Sequence, residues 1–254
     1  MVFYVTYIPP HNLDARSEIE NQLKTLGCKR IRGSFWVIGK KSLTMSGRIL
    51  QGFSPTLLRR IREVRKPVST KDGEQRELGS LIIIAYQSPD GVARVKARNW
   101  LRRAPCIRLC PGVCAFPHKH FHDQTGRLMN AGSFWEHVRE FDENAVIIPR
   151  LVVVNSRAVD RLLAATEHRV IREVESIIKG YKSLIQKIEQ DEIDKIRSVK
   201  IVRSLRRRFI IVKKVSAFYD EWLKLNLSTT VMKPYPTIRK SRYLFEEKYG
   251  SSSW

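Results

Sequence analysis

The sequence predicts an α+β protein made of two βαββαβ repeats, followed by a helical hairpin and an extended C-terminal arm. Three observations lead there. Tyr7 and Tyr86 close two apolar strands, and Gly33 and Gly112 mark two hairpins, at one offset (86 − 7 and 112 − 33 both give 79). Ala15, Ile19, Leu23 and Leu26 recur as Ala93, Ala97, Leu101 and Ala104 at an offset of 78, as expected for a duplicated plan with a one-residue indel. Beyond Asn155 the apolar period changes from strand-like alternation to a heptad.

In the first repeat, Val2 to Ile8 alternates and is β-branched and aromatic, which favours a strand; Pro9-Pro10 stops it. Asn12 or Asp14 can cap a helix to Leu26, with Gly27 ending it. "KRIRGSFWVIG" gives a hairpin whose second arm, Phe35 to Ile38, is bulky enough to be buried. The stretch 42–52 fits helix or strand. Ser54-Pro55 has the form of a cap followed by a first-turn proline, predicting a short basic helix through Arg65. Residues 67–79 are polar, with proline and glycine at their edges, and mark a linker.

The second repeat repeats the order: strand 81–86, helix 90–104, the hairpin "CIRLCPGVCAFPH", a loop to Asn130, a helix at 133–141, and a closing strand 146–154 interrupted by Pro149. The expected domains are therefore 1–66, 80–154, a helical extension 155–226 and an arm 227–254. In the extension, Ile171, Val174, Ile178, Tyr181, Ile185 and Ile188 form one heptad seam. Val199, Val202, Leu205, Phe209 and Val212 form another, although "FIIVKKV" (209–215) fits a strand equally well. The arm mixes proline, serine, cations and rings without a period and is expected to be extended.

The strand–helix–hairpin plan, carried by "YVTYIPP…GSFWVIG" and "IIAYQSPDG…GVCAFP", resembles the ferredoxin-like family of CRISPR-associated small endoribonucleases. It also resembles the middle domain of phenylacetate-degradation repressors. The amino-terminal domain of chromate-resistance protein B is nearest in plan, since there too a long helix follows the closing strand. The resemblance covers roughly 1–39 and 80–190. It implies ferredoxin-like repeats, association with nucleic acid and pairing of sheets into dimers. Nuclease members of that family carry an acidic residue just after the first strand. Here those positions read Ile8-Pro9-Pro10 and Gln87-Ser88-Pro89, with Asp90 arriving late, so the paired carboxylates of a two-fold metal site are missing.

Charge gives the functional class. The 254 residues hold 47 Lys and Arg against 25 Asp and Glu, a net charge of +22. Such a field implies a polyanionic partner, because each cation that neutralises a phosphate releases a condensed counterion. An anionic membrane surface and plain solubility are the rivals. No stretch approaches the roughly 18 apolar residues of a membrane span. The N-terminus lacks a signal peptide's basic start and long apolar run, and four cysteines in a chain this long fit a reduced, cytoplasmic protein.

The expected nucleic-acid contacts form three groups and one ring. Lys29, Arg30, Arg32, Lys40 and Lys41 surround the first hairpin. Arg59, Arg60 and Arg62 lie on the predicted basic helix, with Arg102 and Arg103 at the end of the later one. Residues 195–214 hold nine cations and no acid, among them Arg203, Arg206, Arg207, Arg208, Lys213 and Lys214. A solvated helix face normally mixes signs, and an unrelieved run repels itself unless phosphate lies against it. In the arm, Tyr243 can stack on unpaired bases or dock onto the core.

Cys106, Cys110, Cys114 and His118, with His120 and His122, are the residues that could hold zinc. They lack the C-x2-C knuckle, and the repeat sets Cys114 opposite the core residue Phe35, so buried free cysteine is the favoured reading. No phosphate-cradling glycine loop and no defensible nucleophile–base arrangement occurs. The expectation is a non-catalytic nucleic-acid-binding protein without a cofactor. Structured RNA or a ribonucleoprotein is preferred. The alternatives are a DNA-binding regulator of the chromate-resistance type, a metal-dependent nuclease using Asp90 or the Cys/His cluster, and an assembly subunit, with homodimerisation open.

Overall fold

A computed structural model describes residues 2–69, 75–87, 89–118 and 128–250. The protein is mixed α+β, with one large antiparallel sheet and several helices. It divides into two compact units, Met1–Thr166 with Trp222–Lys224, and Glu167–Glu221 with Leu225–Trp254.

The first unit opens with β1 (Phe3–Thr6), α1 (Leu13–Thr25), β2 (Lys29–Arg32), β3 (Phe35–Ile38), α2 (Leu43–Leu50) and β4 (Thr56–Arg60). Asn12 caps α1, its side chain accepting from the amide of Asp14 at 2.8 Å, a contact worth about 1 kcal/mol. Short 3₁₀ turns flank α2, which settles 42–52 as helical. β5 (Val68–Ser69) and β6 (Gln75–Glu77) form a two-stranded ribbon. Then come β7 (Leu81–Ala85), α3 (Gly91–Arg103), β8 (Ile107–Cys110), β9 (Val113–Pro117), α4 (Ala131–Arg139) and β10 (Val146–Val153).

Eight strands share one sheet, in the order β2-β3-β1-β4-β10-β7-β9-β8. Each half is antiparallel throughout, and the halves join where Val152 pairs with Arg59 and Leu151 with Arg60. β10 shifts register between Ile148 and Leu151, at Pro149, where Arg150 adopts a positive φ of 60°.

Each half has its own core. Phe3, Val5, Tyr7, Trp36 and Ile38 pack with Ile19 and Leu23 of α1 and Leu50 of α2. Ile84, Tyr86, Cys114 and Phe116 pack with Ala104, Phe134 and Val138 in the other half. Full burial of a Phe or Leu side chain contributes about 1.5–3 kcal/mol, so either cluster outweighs the propensity of any one segment. The opposite sheet face is buried as well, at Tyr4, Phe35, Leu58, Leu81, Ile83 and Ala115. Two hairpin turns meet, so that a side chain at Gly33 (φ 49°) would lie 3.8 Å from the carbonyl oxygen of Pro111.

One expectation fails in this unit. The predicted basic helix after Pro55 is the strand β4: Thr56 and Leu58, two apart, are fully buried between β1 and β10, and Ser54 takes a left-handed turn (φ 50°) that breaks a helical start. Tertiary pairing has overridden a helical cap signal. The predicted linker 67–79 lies within this unit. Its described ends are pinned, with Leu78 buried, the amide of Arg65 donating to Ser80 Oγ at 2.7 Å, and Gly79 (φ 74°) so close to Pro67 that a Cβ would sit 2.8 Å from its nitrogen.

The helix α5 (Ser156–Glu189) begins in the first unit and continues into the second. Asn155 ties its start to β4, accepting from the Leu57 amide at 3.0 Å and donating to the Pro55 carbonyl at 3.1 Å. The second unit contains most of α5 and of α6 (Lys195–Leu223), α7 (Ser228–Met232) and α8 (Tyr235–Tyr249). Residues 209–215 are helical. The predicted α5 seam is buried at Val174, Tyr181, Ile185 and Ile188 and half-buried at Ile171 and Ile178, with Val170, Ile177 and Leu184 buried beside it; α6 buries Ser198, Val202, Leu205, Phe209, Val212, Ser216 and Tyr219. The two helices approach closely at Gly180, where a Cβ would fall 2.6 Å from Leu205 Cδ2.

The expected extended arm is helical instead. Pro234 and Pro236 sit at the start of α8, where the missing amides cost nothing. Ile238, Ser241, Phe245 and Tyr249 supply a stripe that the small Ser241 disguises, since Ser241 and Phe245 are both fully buried.

Candidate nucleic-acid interface

Two of the five cations of the first group are committed to the chain itself. Arg30 pairs with Glu20 at 2.7 Å, donates to the Gly33 carbonyl at 2.8 Å and lies 5.9 Å over the Trp36 ring. Arg32 pairs with Asp142 at 2.8 Å. The Asp142 carboxylate is buried and also accepts from the amides of Gln87 (2.8 Å) and Asn144 (3.2 Å). Lys29, Lys40 and Lys41 are exposed.

The second group is dispersed by the change from helix to strand. Successive residues of β4 point to opposite sheet faces, so Arg59 and Arg60 cannot share one surface. Arg62 is exposed, and its carbonyl accepts from Arg150 at 3.0 Å. Arg102 and Arg103 are half-buried and already engaged. The sequence reasoning passed over the rest of α3. Its thirteen residues include Arg94, Lys96 and Arg98, all exposed and without an ion pair among the described residues, beside exposed Val92 and Val95. The signal was the absence of any acid from Gly91 to Arg103.

The third group is the most coherent. On α6, the heptad core turns one face inward and leaves Lys200, Arg203, Arg206, Arg207 and Lys213 exposed. Lys200, Arg203 and Arg207 follow a 3–4 spacing along one stripe, which Lys214 continues; Lys214 is half-buried and has a partner of its own. None of Lys200, Arg203, Arg206 and Arg207 makes an ion pair among the described residues. Arg208 departs from the stripe. It faces α5 and bonds Glu173 (3.2 Å) and Ser176 (3.0 Å). From Lys200 to Lys214 the stripe runs about 21 Å at the ~1.5 Å rise of an α-helix.

A groove of about 510 Å³ lies in this unit, formed by Tyr181 of α5, by Val202, Arg206, Phe209, Ile210 and Lys213 of α6, and by Tyr235, Ile238, Arg239 and Arg242 of α8. Lys213 donates to the Tyr235 hydroxyl at 3.2 Å, and the Tyr235 ring meets Phe209 edge-on at 5.3 Å. Arg242 pairs with Glu246 at 2.7 Å. Burial raises the Tyr181 phenol above its ordinary range, while Arg206 pulls it down. On the same helix Tyr243 is 67% exposed and Phe245 fully buried, so Phe245 docks α8 and Tyr243 faces solvent.

Compared with known proteins, the chain matches no family model, no curated protein and no solved structure.

The residues that could hold zinc are separated by the sheet. Cys114 pairs with Ile84 and shares a core with Cys106, whereas Cys110 pairs with Val113, whose neighbour is Ala85 on the other face. Cys110 is buried, and that burial pushes its thiol up to about 12. His118 is half-buried at the end of β9; His120 and His122 lie outside the described residues. Among the described residues no three His, Cys, Asp or Glu side chains gather closely enough to hold a metal ion. Asp90 is exposed at the start of α3 and belongs to no such group. No helix among the described residues is long and apolar enough to cross a membrane.

Proposed function

We propose that this is a cytoplasmic, non-catalytic nucleic-acid-binding protein, with RNA that carries unpaired bases as its preferred partner. The observation that carries the reading is the α6 face, where Lys200, Arg203, Arg206 and Arg207 are exposed and make no ion pair among the described residues. Like charges three and four residues apart destabilise a helix, and a phosphate chain removes that cost by releasing counterions. The solvent-facing ring of Tyr243 suits unpaired bases.

In the same reading each half of the sheet is a ferredoxin-like repeat. In support, the first half runs β4-β1-β3-β2 and the second β10-β7-β9-β8, the same order with a helix after the first and third strand of each. The ferredoxin-like nucleic-acid-associated family is then the natural place for the first unit.

The test is binding of labelled single-stranded and duplex RNA and DNA across a salt series. Neutralising four phosphates predicts a log–log slope of about −3 for a single strand and about −3.6 for a duplex. A slope near zero, or no binding in dilute buffer, would end the proposal.

A further inference from the structure

We infer that the groove between α6 and α8 is a site for one unpaired nucleotide, its phosphate held by Arg206 and Arg239 and its base lodged against Tyr235, Ile210 and Ile238. This rests on the nucleic-acid reading above and adds where along the protein an unpaired base is taken up.

The chemistry of the lining points to this class of ligand. The walls carry four cations, Arg206, Lys213, Arg239 and Arg242, and no carboxylate lines them. Arg242 is neutralised by Glu246, and Lys213 is turned toward Tyr235. Arg206 and Arg239 are exposed and make no ion pair among the described residues, so they remain for an anion. Between them the floor is apolar, built from Val202, Phe209, Ile210 and Ile238. A site with charge at the rim and apolar surface below suits a group that is anionic at one end and flat and weakly polar at the other. A nucleotide has that form. The rings and apolar side chains lining the groove offer a surface on which a flat base can lie, as stacking platforms do.

Continuity supports the same occupant. Arg206 belongs both to the groove and to the α6 face, adjacent in sequence to Arg207 of the outer stripe. A strand whose phosphates follow Lys200, Arg203 and Arg207 therefore passes the mouth of the groove. An acidic peptide could satisfy the rim, but a one-signed stripe of repeated phosphate contacts beside it favours a nucleic-acid strand.

The experiment compares an unstructured oligouridylate with a blunt RNA duplex of the same phosphate count, by fluorescence anisotropy, on the full chain. Tyr235→Leu keeps an apolar side chain against Phe209 and removes the ring. It is expected to weaken oligouridylate binding about 5- to 150-fold, the factor for one stacked base, and to leave duplex binding unchanged. Arg206→Ala with Arg239→Ala should reduce the single-strand salt slope by about 0.7, the value for the one phosphate they hold together. Circular dichroism on each variant separates loss of binding from loss of fold, and Arg239→Ala alone, at an exposed position, serves if Tyr235→Leu unfolds. The site is refuted if the Tyr235 and Arg239 changes leave the preference between strand and duplex untouched. It is also refuted if polyglutamate binds through Tyr235 as tightly as RNA does. Failure of the wild-type chain to bind either RNA is a different result, and it removes the proposed function itself.

Discussion

Removing the Asp142 carboxylate is expected to destabilise the first unit by about 2–4 kcal/mol. The side chain is 7% exposed and accepts three bonds, from Arg32, Gln87 and Asn144. Taking away one partner of a buried pair costs about 3–5 kcal/mol when the remaining charge is stranded. Arg32 is 24% exposed, so water can reach it and the lower part of that range applies to its share. The amide of Gln87 adds about 1–3 kcal/mol if it is left unpaired. Asp142→Asn keeps the shape and one acceptor and should cost about 1–2 kcal/mol. Arg32→Ala should cost about as much, because the two backbone amides still serve the carboxylate. Urea unfolding of Asp142→Ala, Arg32→Ala and the double variant gives the coupling, expected at about 1 kcal/mol or more for residues in direct contact. Simple additivity, or both single variants within about 0.5 kcal/mol of wild type, refutes the reasoning. The same Arg32 variant carries a second check. Since its charge is held by Asp142, Arg32→Ala should leave the salt slope of RNA binding unchanged; a fall of about 0.7–0.9 would show that Arg32 touches phosphate after all.

Three further outcomes are expected. Arg203→Glu with Arg207→Glu should abolish most RNA affinity while circular dichroism and the melting transition stay close to wild type, since both side chains are exposed and make no ion pair among the described residues; a matched loss of helix would refute the surface assignment. Gly180→Ala gains about 1 kcal/mol of helix propensity but drives a Cβ to 2.6 Å from Leu205 Cδ2, an overpacking of about 1–3 kcal/mol, so thermal melting should fall. In a Leu205→Ala background the same change should raise it, and a rise in both backgrounds would show that the helices are not in contact there. Cys110 should resist alkylation in the native state at pH 8–9 and react on unfolding. Its folded thiol titrates near 12, above an unfolded value of about 8.5, so its contribution is fully present below the lower figure and declines as pH rises through this window; rapid native labelling would contradict the burial.

The sequence carried the first unit's mix of strands and helices because its signals were local. Tyr7 and Tyr86 are each buried directly after a strand, and Gly33 and Gly112 each turn a hairpin with positive φ (49° and 76°). What it could not show was pairing between the two halves of the sheet. Thr56 to Arg60 has neither strong alternation nor a decisive breaker, and becomes a strand because β1 and β10 offer it two ladders. The arm was misread for a different reason. Proline looked like a helix breaker although it stood at a helix start, and Ser241 concealed an apolar stripe by being small.

The same distinction governs the candidate interface. Net charge is a property of composition, so +22 was visible before any fold. Which cations can meet a partner depends on where the acids fall, and no linear reading finds Asp142 beside Arg32 or Glu173 beside Arg208 across separations of 110 and 35 residues. Runs with no acid within helical reach are the exception. Lys195 to Tyr219 and Gly91 to Arg103 contain none, and beyond the first turn, where Asp194 pairs with Arg197 at 3.4 Å and Asp90 flanks Gly91, their outward charges can be neutralised only by distant segments or by another molecule. For Arg203, Arg206 and Arg207 the described fold brings up no such segment. That is why α6, rather than the hairpins, is the place where a polyanion would change the electrostatic energy of the protein most.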